Sequence, residues 1–168
     1  ALYTVLKSLK EKFKNEKLSL VFGCGGERDK SKRSQMAKIA NKFCDKIYVT
    51  DDNPRNENPK KIRNIIIKNL DKFKHLEIPN RKKAIQSAMK VSENLEIILI
   101  AGKGHETIQD YGNKIINISD KKIINNSKVL KDTNNKKEIN LNFNSRLIQN
   151  ILKNDKLYKY EGVSIDSR

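Results

Sequence analysis

Three short stretches of this chain carry side chains able to hold a small polar ligand. The first is Thr50-Asp51-Asp52-Asn53-Pro54-Arg55. Arg55 offers a planar fork for a carboxylate. Asn53 can donate and accept, and Asp52 can brace the loop or take an ammonium. Pro54 fixes its own φ and pushes Asn53 away from helix, so the group is presented on a stiff turn. The second stretch is Gly23–Arg33, GCGGERDKSKR. Its glycines permit positive φ and close backbone approach. Arg28 lies nearest them, followed by Asp29, Lys30, Lys32 and Arg33, which suits an anion-binding loop. The third is Ala101–Glu106, AGKGHE. Gly102 brings bare backbone near a ligand and Glu106 can accept from an ammonium. His105 is a possible general base, although a lone histidine beside a strand end is more often structural. His75 belongs to no constellation.

Each loop alone also fits a blander reading, a charged or proline-containing turn in solvent. Several specific chemistries are excluded. The glycines do not make GxGxxG opening a helix, and no Gly-Lys-Ser/Thr closes a phosphate loop. No His and Cys spacing suggests a metal. Together the loops offer guanidinium groups, an amide, a carboxylate and free backbone, an inventory that matches a zwitterionic amino acid.

These loops need a scaffold, and the apolar pattern supplies one. Strands are predicted at 18–22, 46–49, 75–78 and 96–101, with 115–118 as a further edge strand. Helices are predicted over 1–14 and 36–43, from Pro59 onward, from an Asn80 cap through Glu93, and from Ser119 or Asp120 to about Leu130. Strands alternating with helices imply βαβ units and an α/β fold: a Rossmann-like, doubly wound, mostly parallel sheet with helices on both faces. Right-handed crossovers put the strand-to-helix loops on one edge, outside the carboxyl ends of the strands, where ligands bind in such sheets. All three loops fall there.

The chain has 168 residues and a net charge of +16. That charge raises the alternative of a basic α/β module binding nucleic acid. The composition offers a simpler source. Lys, Asn and Ile number 29, 20 and 21, all three have AT-rich codons, and the lysines are scattered along the whole length. No nucleic-acid-binding motif accompanies them. A dinucleotide-binding oxidoreductase domain is disfavoured by the missing fingerprint. No apolar run reaches membrane-spanning length and no signal-peptide pattern is present. Cys24 and Cys44 are not a CxxC pair, in keeping with a reducing cytoplasm. The chain opens at Ala1 and stops at Arg168 in mid-pattern, so it is expected to be a piece of a longer protein.

GCGGERDKSKR, TDDNPR and AGKGHE, in that order on βα loops, resemble the C-terminal domain of the Mur ligase family. The likeness is to the members that add the third residue of the peptidoglycan stem peptide, and it covers residues 1–130. In those members Asp-Asn-Pro-Arg, here Asp52-Asn53-Pro54-Arg55, is the recognition motif for meso-diaminopimelate. The resemblance implies Arg28, Asn53, Arg55, Gly102 and Glu106 as contacts to that ligand. It also implies an ATP-dependent amide-forming reaction on a UDP-N-acetylmuramoyl dipeptide, with ATP and Mg2+ bound mainly by other domains. This chain is then expected to contain no catalytic residue and to be inactive alone. The first loop departs from the family pattern, with Glu27 where Asp is usual and Ser31 and Ser34 where Gly and Pro are usual.

Past residue 130 the character changes. Residues 131–144 are polar, rich in Asn and Lys, and read as a linker. Residues 145–168 resume apolar patterning and end in Asp-Ser-Arg. They resemble the start of a second Mur ligase N-terminal domain, that of the D-alanyl-D-alanine-adding enzyme, which implies a fusion of two consecutive enzymes. No nucleic acid or membrane insertion is expected among the partners.

Overall fold

A computed structural model describes residues 1–91 and 96–132. Its main sheet has four parallel strands: β1 (Lys17–Phe22), β2 (Lys46–Val49), β3 (His75–Glu77) and β4 (Glu96–Ile100). Their spatial order is β3-β2-β1-β4. Five helices accompany them: α1 (Leu2–Lys12), α2 (Ser31–Phe43), α3 (Pro59–Ile67), α4 (Arg81–Val91) and α5 (Asp120–Asp132).

The strands read as apolar runs because both faces of the sheet are covered. On β4, Ile97, Leu99 and Ala101 join one core with Leu6, Leu20, Phe22, Ala40, Ile47 and Ile66. Ile98 and Ile100 join the other, with Val21, Tyr48, Ala84, Ile85 and Ile123. The first core thus packs beneath α1, α2 and α3, the second beneath α4 and α5. From β1 the chain steps outward to β2 and β3, and α4 then carries it back to β4 on the far side of β1. The order reverses between β1 and β4, so the loops leaving those two strands flank the crevice where ligands bind in open α/β sheets.

The helix starts follow their caps. Asn58 Oδ1 accepts from Lys61 N (3.1 Å), with Pro59 in the first turn, and Asn80 Oδ1 accepts from Lys83 N (2.9 Å). Ser119, rather than Asp120, caps α5. Helix α2 begins at Ser31, ahead of the expected Met36, because Asp29 Oδ1 accepts from both Ser31 N and Oγ at 2.9 and 2.7 Å. That first turn is polar and leaves no apolar rhythm in the sequence.

The expected edge strand at 115–118 is corrected. Strand β6 (Ile115–Asn117) is not on the main sheet but pairs antiparallel with β5 (Ile108–Asp110). A tight turn joins them, with Gly112 at φ +76° and Tyr111 N bonded to Lys114 O (2.8 Å). A connection this short closes a hairpin and cannot make a parallel crossover. The expected linker at 131–144 and second domain at 145–168 lie outside the described residues, apart from the end of α5.

Candidate functional site

The three loops interlock. Gly26 N donates to Asn53 O at 2.8 Å, and a Cβ on Gly26 would collide with the Pro54 carbonyl, so only glycine allows the first loop to lie on the second. Arg33 pins the arrangement from beneath. It is 2% exposed, forks onto both Glu57 carboxylate oxygens at 2.9 Å, and reaches Gly25 O at 3.1 Å. Glu57 also accepts from Glu27 N (2.6 Å). The Arg33 hydrogen bonds, then that backbone bond, hold the Glu57 carboxyl down to about 2.

Arg55 sits in a turn closed by Glu57 N donating to Pro54 O (3.0 Å). Its φ is +51°, uncommon for a residue with a side chain. The backbone is held there by Arg55 N bonding Asp110 O (3.0 Å), and the guanidinium by NH1 donating to Gly26 O (2.6 Å). A Cβ placed on Gly25 would lie 3.2 Å from Arg55 NH1 and 3.5 Å from Arg28 Cγ, so both arginines converge on the bare backbone there. Arg28 is exposed, and among the described residues neither arginine is in an ion pair.

The third loop meets the second through Asn53 and Lys103. Lys103 Nζ donates to Asn53 Oδ1 (2.6 Å) and Glu106 Oε2 (3.1 Å), and lies 3.7 Å from Asp52 Oδ1. Asn53 Nδ2 donates to the same Glu106 oxygen (2.8 Å), and Asp110 N donates to Asn53 Oδ1 (3.0 Å). Gly102 has φ +115°, and a Cβ there would strike the Asp52 carboxylate. Burial opposes charge on Glu106, but hydrogen bonds from Asn53 and Lys103, with the Lys103 charge, outweigh it and hold its pKa below the ordinary value. Asp52 behaves oppositely. Burial raises its pKa despite the nearby Arg81 and Lys103 charges.

The hairpin β5–β6 buttresses the central loop. Gln109 Nε2 donates to the Asp51 and Asp52 carbonyls (3.1 and 2.7 Å), and Tyr111 OH donates to Asp51 Oδ2 (2.9 Å). Asp51 also pairs with Arg63 NH1, while Arg63 Nε donates to Glu77 (2.7 Å). Behind Gly102, Arg81 forks onto Asp120 (2.8 and 2.6 Å) and donates to Ala101 O (3.1 Å), tying α4 and α5 to the end of β4.

Of the residues singled out from sequence, Arg28 and Arg55 thus stand beside Gly25. Asn53 shares the loop of Arg55 and bonds Glu106 of the third loop, which also carries Gly102. Asp52 is turned inward, and Pro54 contributes its carbonyl to the turn. His105 is exposed at the loop surface. Sequence reading missed Lys103, Gln109 and Tyr111, and counted Arg33 among the charges of an anion-binding loop where the structure has it as a buried brace. Only Arg33 and Lys103 lie within the flagged stretches, and nothing in sequence marks them as buried. Among the described residues no group of three His, Cys, Asp or Glu is placed to hold a metal ion.

Loops gathered at the carboxyl ends of the strands of a parallel α/β sheet make this a domain of the doubly wound, ligand-binding class. Residues 1–104 match the family described as Mur ligase, glutamate ligase domain. The chain belongs to that family. It is similar to UDP-N-acetylmuramoyl-L-alanyl-D-glutamate--2,6-diaminopimelate ligase of Rickettsia conorii, at 47% identity over 125 residues, 74% of this chain and 26% of that protein. The enzyme of the same name from Buchnera aphidicola subsp. Baizongia pistaciae is 48% identical over 124 residues, 73% of this chain and 24% of that protein. A solved structure of an enzyme of this name superposes with a TM-score of 0.70 at 33% identity, over 77% of this chain and 27% of that one. The chain therefore spans about a quarter of the length of the relatives it matches.

Proposed function

We propose that this chain supplies the amino-acid-binding domain of an ATP-dependent ligase that adds meso-diaminopimelate to UDP-N-acetylmuramoyl-L-alanyl-D-glutamate. The observation that carries the reading is the convergence of Arg28 and Arg55 on Gly25, with Asn53 and Glu106 beside them. Donors for a carboxylate and an acceptor for an ammonium are thereby set a side chain apart, as the far amino-acid end of the ligand requires. In this reading the carboxylate lies on Arg28, Arg55 and the remaining Asn53 N–H. The ammonium lies on Glu106 and the Gly102 backbone, while Asp52 and Pro54 shape the loop. Lysine has the same spacing between its two amines but no far carboxylate, and would leave the arginines without their partner.

The described residues do not fit a nucleotide and magnesium site. They offer no Gly-Lys-Ser/Thr loop and no clustered metal ligands. ATP and Mg2+ are assigned to parts of the ligase outside the quarter spanned here, and this chain alone is taken to be inactive. The setting is cytoplasmic, where ATP and the nucleotide-linked substrate are found. Among the described residues no helix is long and apolar enough to cross a membrane. The same proposal extends to the tail. Residues 1–130 are the ligase domain, 131–144 a linker, and 145–168, ending in Asp166-Ser167-Arg168, the opening of a second Mur ligase that adds D-alanyl-D-alanine.

Arg55→Ala in the full-length protein tests the pocket. Alanine keeps the same φ strain, so the change removes the guanidinium alone. Losing a charged hydrogen-bonding partner raises the KM for diaminopimelate roughly 10- to 100-fold, with a smaller change in kcat. An unchanged KM would refute the assignment.

A further inference from the structure

We infer that Lys103 is a positioning residue of this site: it sets which way the Asn53 amide faces and which Glu106 oxygen is left for a ligand, without touching the ligand itself. The inference rests on the diamino-acid reading above.

The Lys103 side chain is fully buried, so it has no surface to offer a substrate. An ammonium in such a place needs acceptors around it. It has the Asn53 amide oxygen at 2.6 Å, Glu106 Oε2 at 3.1 Å and the Asp52 carboxylate at 3.7 Å. An ammonium only donates, so the Asn53 atom facing it must be oxygen. Asp110 N occupies the second lone pair of that oxygen at 3.0 Å. The amide nitrogen is thereby turned to Glu106, at 2.8 Å, with one proton left over. That proton is all Asn53 can still offer, and it suits a carboxylate while rejecting an ammonium.

Glu106 is arranged by the same contact. Its Oε2 receives both Lys103 and Asn53, which leaves Oε1 as the free acceptor for an ammonium. One buried lysine thus orients a donor for the ligand's carboxylate and an acceptor for its ammonium. Without Lys103 the amide oxygen loses its shortest partner and only the Asp110 N and Glu106 contacts remain to orient it, so the amide is held less firmly in the orientation that faces a carboxylate. Asp52 and Glu106 also lose their shared counter-charge.

The test is steady-state kinetics of the full-length protein with Lys103→Met, which keeps length and volume but removes all donors. The KM for meso-diaminopimelate is expected to rise about tenfold or more, and the preference over lysine to fall by a similar factor. The kcat and the KM values for ATP and the UDP-linked substrate are expected to hold within about threefold, which a general loss of folding would not allow. Lys103→Gln, still able to donate to Asn53 Oδ1, is expected to recover part of the preference. It carries the same measurements if the Met variant is not recovered folded. Unchanged KM and preference in either variant overturn the inference. If the unmodified enzyme itself fails to use diaminopimelate, the site reading falls instead. Reductive methylation of the unmodified protein gives an independent check. Lys103 is expected to stay unmodified while exposed Lys82 and Lys83 react, and modification of Lys103 at their rate would overturn its assigned place.

Discussion

Glu106 is kept ionised by its neighbours against the pull of burial. Hydrogen bonds from Asn53 and Lys103, with the lysine charge, depress its pKa below the ordinary value of 4.5. Its folded-state pKa is lowered, so the stability it contributes is fully present above about pH 4.5 and is lost as pH falls through the lowered value. For binding, the carboxylate stays charged throughout the neutral range. We therefore expect the KM for diaminopimelate to show no acid limb from this group between about pH 5.5 and 8, by kinetics across that range. In Glu106→Gln the KM should rise about tenfold, because an amide replaces the charged acceptor of the ligand's ammonium. A KM in that variant equal to that of the unmodified enzyme would remove Glu106 from the site. Arg55 makes the complementary point about geometry. Its positive φ is held by the hydrogen bond its N–H donates to Asp110 O of the hairpin, and its fork by the Gly26 carbonyl, so the side chain is set before any ligand arrives.

Two connections between elements hold these residues in register. The β5–β6 hairpin fastens the Asp51–Arg55 loop through Gln109, Asp110 and Tyr111. The Arg81–Asp120 pair joins the first turns of α4 and α5 beside Gly102, with both partners buried. Asp120→Ala would strand the Arg81 charge in the interior, and such single-partner losses cost about 3–5 kcal/mol. Urea unfolding of the variant should show a loss of that size. A loss under about 1 kcal/mol would mean that Arg81 finds solvent or another partner.

This is also the scale at which sequence and structure part. The strands β1, β2 and β4 were legible because buried parallel strands read as continuous apolar runs, and the helix starts marked by Pro59 and Asn80 stand in plain view. The loops were legible from their unusual residue types. The hairpin was only half visible. Its strands are three residues each, β5 carries Gln109 and Asp110, and the antiparallel pairing depends on one glycine at positive φ. Lys103 was invisible for a different reason. One lysine among 29 carries no mark of burial, and its role exists only once Asn53 and Glu106 are brought around it by folding.

For the whole molecule, the charge of +16 invites a nucleic-acid partner, yet the placement of the lysines on the described helices argues otherwise. Exposed lysines stand on α2, including Lys32, Lys38 and Lys42, and on α4 at Lys82, Lys83 and Lys90, on opposite faces of the sheet. They make no single stripe. The guanidinium groups of Arg28 and Arg55, in no ion pair among the described residues, instead stand together by Gly25 on the loops that follow β1 and β2. In the proposed reading the fold delivers a bipolar site at the place where this architecture binds ligands. The proposed site selects for a second carboxylate. The most direct measurement is ligation by the full-length protein, with ATP and the UDP-linked dipeptide, comparing kcat/KM for meso-diaminopimelate and for L-lysine. A site built around a charged partner that lysine lacks predicts a preference of about a hundredfold or more for diaminopimelate. Comparable values for the two amino acids would contradict it.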